Sequence, residues 1–288
     1  MNKLPLPESN ASKAFKDSID SIKDKEMKKR FQSVSPMVKQ KCDTFEVDAM
    51  SLSFSSMTTR FFTVPGISSD EMVSLYDRQF RNNKEPKKIH DAIKGASGTC
   101  PYCGQGKVKE LDHYLPKSEF MALVVHPFNL VPSCRDCNHD KRAYRPSLKK
   151  PAVLHPYFDK AFDTPWLSAE IKRDQESPEV AIVEFTVELN NPNADLEARL
   201  NAHLDVFDLR SRFSQWGSQI LNEFENFLQN GASLTLEKAR IQFGFQMEIS
   251  SSITQNSWRS ATYNAILRSD WYLPSLFPSN KTTAKEEN

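Results

Sequence analysis

Four of the five cysteines form two pairs with the spacing of metal ligands. Cys100 and Cys103 stand in CPYCGQG, and Cys134 and Cys137 stand in SCRDCNH. Each C-x2-C turn presents two thiolates from one tight bend, and two such turns complete a tetrahedral zinc site. Four sulfurs leave no open coordination position, so we expect one structural Zn²⁺ per chain that does no chemistry. A redox dithiol is the alternative, and the lone Cys42 is predicted to be a buried, small apolar residue.

Polar residues between and beside these pairs have types that suit phosphodiester chemistry. Asp112 and His113 lie in LDHYLPKS, Asn129 opens NLVPSC, and Asn138 lies in CNHDK. In this order, framed by the cysteine pairs, they resemble the HNH, or ββα-metal, nuclease family, in the variant with a four-cysteine zinc and Asn as third signature residue. The resemblance covers about residues 100–142.

The resemblance implies a role for each of these residues. Hydrolysis of a phosphodiester requires a base that deprotonates water and a cation that neutralises charge on the phosphoryl oxygens. Asp112 and the side-chain oxygen of Asn138 would bind a catalytic Mg²⁺ or Mn²⁺, which prefers oxygen ligands. His113 would be the general base. Asn129 would bond the hairpin loop and thereby fix the direction of His113.

Some of these assignments have alternatives. Asn138 could simply cap its helix, and His139 would replace it as the metal-side ligand if the helix register differed by one residue. Lys141, Arg142 and Arg145 follow on the same predicted helix and are expected to bind flanking phosphates.

The charge of the chain is unevenly distributed. Residues 1–150 carry 26 Lys and Arg against 18 Asp and Glu, whereas residues 151–288 carry 12 against 19. Within residues 81–150 the ratio is 14 to 7. Such an excess suits a phosphate-bearing ligand, although a solvated lysine-rich surface is the simpler interpretation. The acidic half is a candidate surface for a protein partner or for keeping nucleic acid away from the chain.

Periodicity predicts a mainly helical α+β protein. Residues 1–95 are predicted to form a helical region. The family resemblance implies a ββα nuclease module over residues 96–150. Residues 151–277 are predicted to form a β-hairpin from WLSAEIKR and VAIVEFTVEL, followed by helices over NADLEARLNAHLDVF, SRFSQWGSQILNEFENFLQNG and SWRSATYNAILRSDW. Residues 278–288 are predicted to be a flexible tail.

The sequence shows neither a signal peptide nor an apolar run of membrane-spanning length, so we expect a cytoplasmic protein without a membrane partner. The predicted function is that of a metal-dependent HNH endonuclease acting on nucleic acid, with DNA favoured over RNA. The motif also resembles the nuclease components of bacterial anti-phage systems of the Septu and retron-associated type, which implies a defence role and an ATPase partner. No recognition domain is evident, which disfavours a homing or restriction enzyme acting alone.

The competing hypothesis is a non-catalytic zinc module that binds nucleic acid or protein. Such a module needs only the cysteines, and the joint presence of Asp112, His113 and Asn138 favours the enzyme.

Overall fold

The computed structural model describes residues 1–231 and 233–277, which fold into two compact units. The first unit contains Met1–Thr164 and Asn191–Leu209, and the second contains Pro165–Asn190 and the chain from Arg210 onward. Helices and two small antiparallel sheets make up both units, so the fold is α+β and mainly helical, as predicted. The predicted helical region and nuclease module lie within the first unit together. The predicted tail lies outside the described residues.

The first unit begins with a helical layer. In chain order it consists of α1 (Ala11–Asp20), α2 (Lys25–Met50), α3 (Thr59–Phe62), α4 (Ser69–Ser74), a π-helical segment (Leu75–Phe80) and α5 (Lys84–Gly95).

Side-chain caps fix where the helices of this layer start. The Asn10 and Asp24 side chains accept hydrogen bonds from backbone amides in the first turns of α1 and α2. Ser68 and Glu71 form a reciprocal capping box at the start of α4, so this helix begins at Ser69. The π-helical segment directly follows α4, and this rare geometry is frequent at functional sites.

The segment between the cysteine pairs forms two short strands and leads into a helix. Strand β1 (Glu110–His113) pairs antiparallel with β2 (Leu130–Ser133), so that Asp112 lies opposite Val131. Helix α6 (Arg135–Lys141) follows directly. This order of elements agrees with the β, β, α order expected from the sequence, and it places Asp112 and His113 beside α6.

Aromatic side chains fill the core next to these strands. The Phe54 ring stacks on His155 with centroids 5.2 Å apart, and Tyr114 contacts the same imidazole at 4.3 Å. His126 packs edge-on against Phe45 from α2 at 4.8 Å. The helical layer and the strands therefore share one core. The first unit also includes helix α7 (Ala194–Val206).

The second unit is built around the predicted hairpin. Strands β3 (Leu167–Arg173) and β4 (Ala181–Val187) pair antiparallel, as expected, with Val183 and Phe185 buried on one face. The remaining helices are α8 (Leu209–Gln229), α9 (Leu236–Ile253), α10 (Trp258–Arg268) and α11 (Tyr272–Ser275). Among residues 1–231 and 233–277, no helix combines the length and apolarity that a membrane span requires.

Candidate active site

The four cysteine thiols converge on one point of the first unit. All four are buried, and their sulfur atoms lie within 4.8 Å of one another. The Cys103 and Cys134 sulfurs are 3.9 Å apart. Four thiolates about 2.3 Å from a central Zn²⁺ lie roughly 3.8 Å from each other in a regular tetrahedron. The cluster therefore has the size and donor set that a structural zinc ion requires.

Tight turns bring the thiols together. Gly104 has a φ of +69°, a left-handed conformation that favours glycine, and its amide donates to the Cys100 carbonyl. The Gly106 amide donates to the Cys103 sulfur at 3.2 Å. A Cβ atom at Gly106 would lie only 2.7 Å from the Cys134 Cβ, so this position has no space for a side chain.

A cleft of about 380 Å³ opens beside β1 in the same unit. Residues from β1, α6, the π-helical segment and α5 line it, and they include Tyr76, His90, Glu110, Asp112, His113, Asn138 and Arg142. The structure thus brings the predicted Asp-His pair, Asn138 and Arg142 to one cavity. His139 is exposed and does not line this cleft.

Two buried donors hold the carboxylate of Asp112. The Tyr102 hydroxyl donates to Oδ2 at 2.9 Å, and the Lys141 ammonium donates to Oδ1 at 3.0 Å. A carboxylate offers about four lone-pair positions, so each oxygen retains acceptor capacity on the cleft side. Tyr102 lies between the cysteines of the first pair, and the four-cysteine cluster thus helps to position Asp112.

The imidazole of His113 is held in one tautomer. Its Nε2 lies 2.9 Å from the Val124 carbonyl oxygen, which can only accept, so Nε2 carries the proton. Burial lowers the pKa of His113 to about 3, and the ring is therefore neutral at pH 7. Nδ1 keeps its lone pair and has no hydrogen-bond partner among the described residues. The Tyr76 ring packs edge-on against this imidazole at 4.4 Å.

Asn129 is buried behind the strands. Its Oδ1 accepts from the Leu115 amide at 2.8 Å, and its Nδ2 donates to the carbonyls of Leu115 and Leu123. These bonds tie together both sides of the loop that follows His113. Because Val124, the partner of His113, is in the same loop, Asn129 stabilises the surroundings of the imidazole.

Glu110 contacts Asn138 across the cleft floor. The Asn138 Nδ2 donates to a Glu110 carboxylate oxygen at 2.5 Å, which leaves Oδ1 of the amide as a free acceptor. Glu110 and Asp112 are two residues apart in β1, and alternate residues of a strand share a face. Sequence analysis missed Glu110, although this i, i+2 spacing was visible in ELDH.

The structure corrects the expected position of Lys141. Its side chain is fully buried, and its ammonium bonds Asp112 and the His113 carbonyl, the latter at 2.7 Å. Contact with a phosphate has no support in this geometry. Arg142 is exposed and lines the cleft, whereas Arg145 pairs with Glu119 at 3.3 Å and does not line it.

The oxygen-bearing residues of the floor fit a hard divalent cation. Asp112 and Asn138 bring a carboxylate oxygen and an amide oxygen to the lining of the cleft. Mg²⁺ and Mn²⁺ are bound in proteins by few such ligands together with water and substrate phosphate. The donor set therefore suits the ion that the sequence predicts.

The chain has detectable similarity to two characterised proteins. A stretch of 177 residues is 27% identical to protein ea31 of Escherichia phage lambda, and it covers 56% of this chain and 57% of that protein. A stretch of 69 residues is 35% identical to Septu protein PtuB of Bacillus thuringiensis, and it covers 22% of this chain and 26% of that protein. No family model and no solved structure matches the chain.

These similarities are partial. The chain matches little more than half of the length of ea31 and about a quarter of the length of PtuB. The similarity to PtuB and the four-cysteine cluster are both consistent with a module stabilised by zinc.

Proposed function

We propose that this chain is a metal-dependent endonuclease that hydrolyses phosphodiester bonds of nucleic acid, with DNA as the favoured substrate. The observation that carries the proposal is the convergence of Asp112, His113, Asn138 and Arg142 on one cleft. Asp112 supplies an anionic ligand, His113 a base and Arg142 a cation for phosphate, and hydrolysis needs all three.

In this proposal His113 is the general base. The Val124 carbonyl holds the proton on Nε2, so the lone pair of Nδ1 accepts a proton from the attacking water. The water oxygen forms the new bond to phosphorus, and the bond from phosphorus to the leaving oxygen breaks. Because the imidazole is neutral at pH 7, its Nδ1 lone pair is available without prior loss of a proton. A base with so low a pKa is weak, so a divalent ion in the cleft would have to lower the pKa of the attacking water as well.

The cleft floor would hold one Mg²⁺ or Mn²⁺ through Asp112 and Asn138. The ion would supply a positive charge for the phosphoryl and leaving oxygens. Lys141 and Tyr102 fix the Asp112 carboxylate, and Glu110 fixes the Asn138 amide with its oxygen available. Arg142, at the rim, would bind a flanking phosphate.

The experiment is a cleavage assay that separates the two kinds of metal. Purified protein is incubated with plasmid, linear duplex and RNA, first with Mg²⁺ or Mn²⁺ and then after brief treatment with a chelator. We expect cleavage to stop with the chelator while about one zinc per chain remains, and to resume when the divalent ion is restored. Cleavage that persists without the exchangeable ion would contradict the proposal.

A purely binding module is the alternative function. It would not require a neutral imidazole, held in one tautomer, beside a carboxylate anchored by two donors. The organisation around His113 and Asp112 therefore favours the enzyme.

The proposed cellular role is that of a defence effector. The similarity to Septu protein PtuB supports it, within the 22% of the chain that this match covers. A protein partner, such as an ATPase of the same system, would target or regulate the nuclease. The acidic half of the chain is the candidate surface for that partner.

A further inference from the structure

The lining of the candidate cleft extends beyond the ββα segment. It includes residues of β1 and α6 and also residues of the helical layer. Tyr76 lies in the π-helical segment, Arg81 directly follows it, and Lys94 lies in the last turn of α5. The N-terminal helices, to which the proposed function gives no task, therefore face the site of chemistry.

Two other lysines of α5 are neutralised by acidic neighbours. The Lys87 ammonium lies 2.6 Å from an Asp91 carboxylate oxygen, and the Lys88 ammonium lies 2.7 Å from Glu85. Lys94 is on the same helix and lines the cleft, yet it has no ion-pair partner among the described residues. Lys84, at the first position of α5, also lacks an ion-pair partner among the described residues, but only Lys94 of these two lysines lines the cavity.

Two further cations at the cleft share this property. Lys109 immediately precedes β1, Arg142 immediately follows α6, and both are exposed. Neither has an acidic partner within the part of the chain that the structure describes. Three cations that have no ion-pair partner among the described residues therefore line one cavity.

The acidic groups of the cleft have cationic partners. Glu110 lies 3.9 Å from Arg135, and Asp112 lies 3.0 Å from Lys141. Asp77 is engaged by Lys117 at 3.0 Å and by Arg81 at 3.7 Å. The three unpaired cations thus remain as uncompensated positive charge of the cleft. Such charge attracts a polyanion rather than a single small anion.

We propose that Lys94, Lys109 and Arg142 form a phosphate-binding rim, with which the N-terminal helices hold the backbone of a nucleic acid over the cleft floor. The rim extends the substrate contacts beyond the ββα segment and replaces the contact first expected from Lys141. This inference rests on the proposed function, because it assigns the same substrate class to the same cleft.

The test measures binding separately from cleavage. In a His113→Ala background, which keeps bound substrate intact, Lys94→Gln and Lys109→Gln are combined. The control combines Lys87→Gln and Lys88→Gln, which remove the same charge from the paired face of α5. Affinity for a short fluorescent DNA duplex is measured by anisotropy across a range of salt concentrations.

The rim variant is expected to bind at least about tenfold more weakly at roughly 0.1 M salt, with a salt slope lower by about 1.8, since each contact contributes about 0.9. The control should keep both the slope and the affinity of its parent. The rim proposal would be overturned if the two variants had equal affinities and salt slopes, or if the His113→Ala parent bound no duplex.

Cleavage by the unmodified chain separates this inference from the proposed function. If the rim variant loses binding and the unmodified chain does not cleave, the results support the phosphate-binding rim and contradict the nuclease assignment. Metal-dependent cleavage together with unchanged binding by the rim variant would support the nuclease and contradict the rim.

Discussion

The amide of Asn138 has two ends with opposite chemistry, and the cleft selects between them. Glu110 accepts from Nδ2, so the oxygen is the end left for a cation. If the amide were turned over, it would present two N–H donors to the ion instead of an acceptor. Glu110 is accordingly a positioning residue, which acts through Asn138.

Replacing Glu110 tests this role. Glu110→Ala removes the acceptor and should lower the cleavage rate roughly 10- to 100-fold, the usual effect of losing a partner that orients a ligand. It should also raise the Mg²⁺ concentration needed for half of the maximal rate. Glu110→Gln keeps a carbonyl acceptor for Nδ2 and should retain more activity than Glu110→Ala in the same Mg²⁺ titration.

The matched control is Glu119→Ala, which removes a carboxylate that pairs with Arg145 away from the cleft. Its Mg²⁺ dependence should match that of the unmodified protein. Equal losses in Glu110→Ala and Glu110→Gln would instead show that the Glu110 charge matters, and positioning through a hydrogen bond would be excluded.

The residues that line the cleft were easier to predict from the sequence than the side chains that hold them in place. Asp112, His113 and Asn138 could be picked out because their types and order resemble a nuclease motif. The burial of Lys141 could not be foreseen, because it depends on where Asp112 lies after β1 docks against α6. From the sequence, the adjacent residues Lys141 and Arg142 are equally expected to be solvated, yet the structure exposes only Arg142.

At the level of elements, the turn at the first cysteine pair has the tightest packing requirement. The amide of Gly106 bonds the Cys103 sulfur, while the Cα of Gly106 faces the Cys134 side chain. Because any Cβ would lie 2.7 Å from the Cys134 Cβ and 2.8 Å from its sulfur, the two turns could no longer approach each other closely enough.

Gly106→Ala is therefore expected to reduce the zinc content below one ion per chain and to destabilise the protein by roughly 1–3 kcal/mol, the usual cost of overpacking. Metal analysis and thermal unfolding measure the two effects. Gly98→Ala is the control, since a Cβ there meets nothing within 4 Å. If both variants retain a full equivalent of zinc and the same Tm, the packing account of this turn is wrong.

The elements were predictable where local signals were strong. The β1, β2 and α6 segments lie close to their predicted places because the cysteine pairs bracket them. Helix α9 was not specified, because Ile241, Phe245, Ile249 and Ile253 are large apolar side chains that remain exposed, which obscures the usual amphipathic pattern. The start of α4 depends on the capping box of Ser68 and Glu71.

Across the whole molecule, the two units differ in their titratable and fluorescent residues. All six histidines belong to the first unit, whereas all four tryptophans belong to the second. Burial lowers the pKa of His155 to about 3 and that of His203 to about 4, and it lowers the pKa of His126 as well. These imidazoles remain neutral in the folded protein at a pH where the unfolded chain binds protons.

The first unit should therefore lose stability as the pH falls from about 6.5 toward 4. In this window the unfolded chain binds more protons than the folded one, and each buried histidine contributes about 1.4 kcal/mol per pH unit. Hydrogen exchange resolved by peptide should show the free energy of opening falling in residues 1–164, with a smaller change in residues 210–277.

Tryptophan fluorescence provides an independent measurement of the second unit, and zinc content is followed at each pH to account for metal loss. Equal acid sensitivity of the two units would contradict the assignment of the effect to buried histidines.

The extent of the first unit could not be predicted from local sequence. Residues 151–164 belong to it because the Tyr157 hydroxyl donates to the Leu130 carbonyl at 2.8 Å and the His155 imidazole lies 3.1 Å from the Phe128 carbonyl oxygen. The Arg199 guanidinium, in α7, pairs with Asp159 at 2.7 Å. Such contacts join distant parts of the chain, and neither periodicity nor charge reveals them.

The most direct test of the nuclease assignment is the single-turnover cleavage rate of His113→Ala, with zinc content and duplex affinity measured on the same preparation. The account predicts a rate at least about 10²-fold lower, with nearly unchanged zinc and affinity, because only the base is lost. His139→Ala, in which the exposed neighbour of Asn138 is replaced, should cleave at the normal rate. If His113→Ala cleaves as fast as the unmodified protein, this cleft is not the site of a histidine-catalysed hydrolysis.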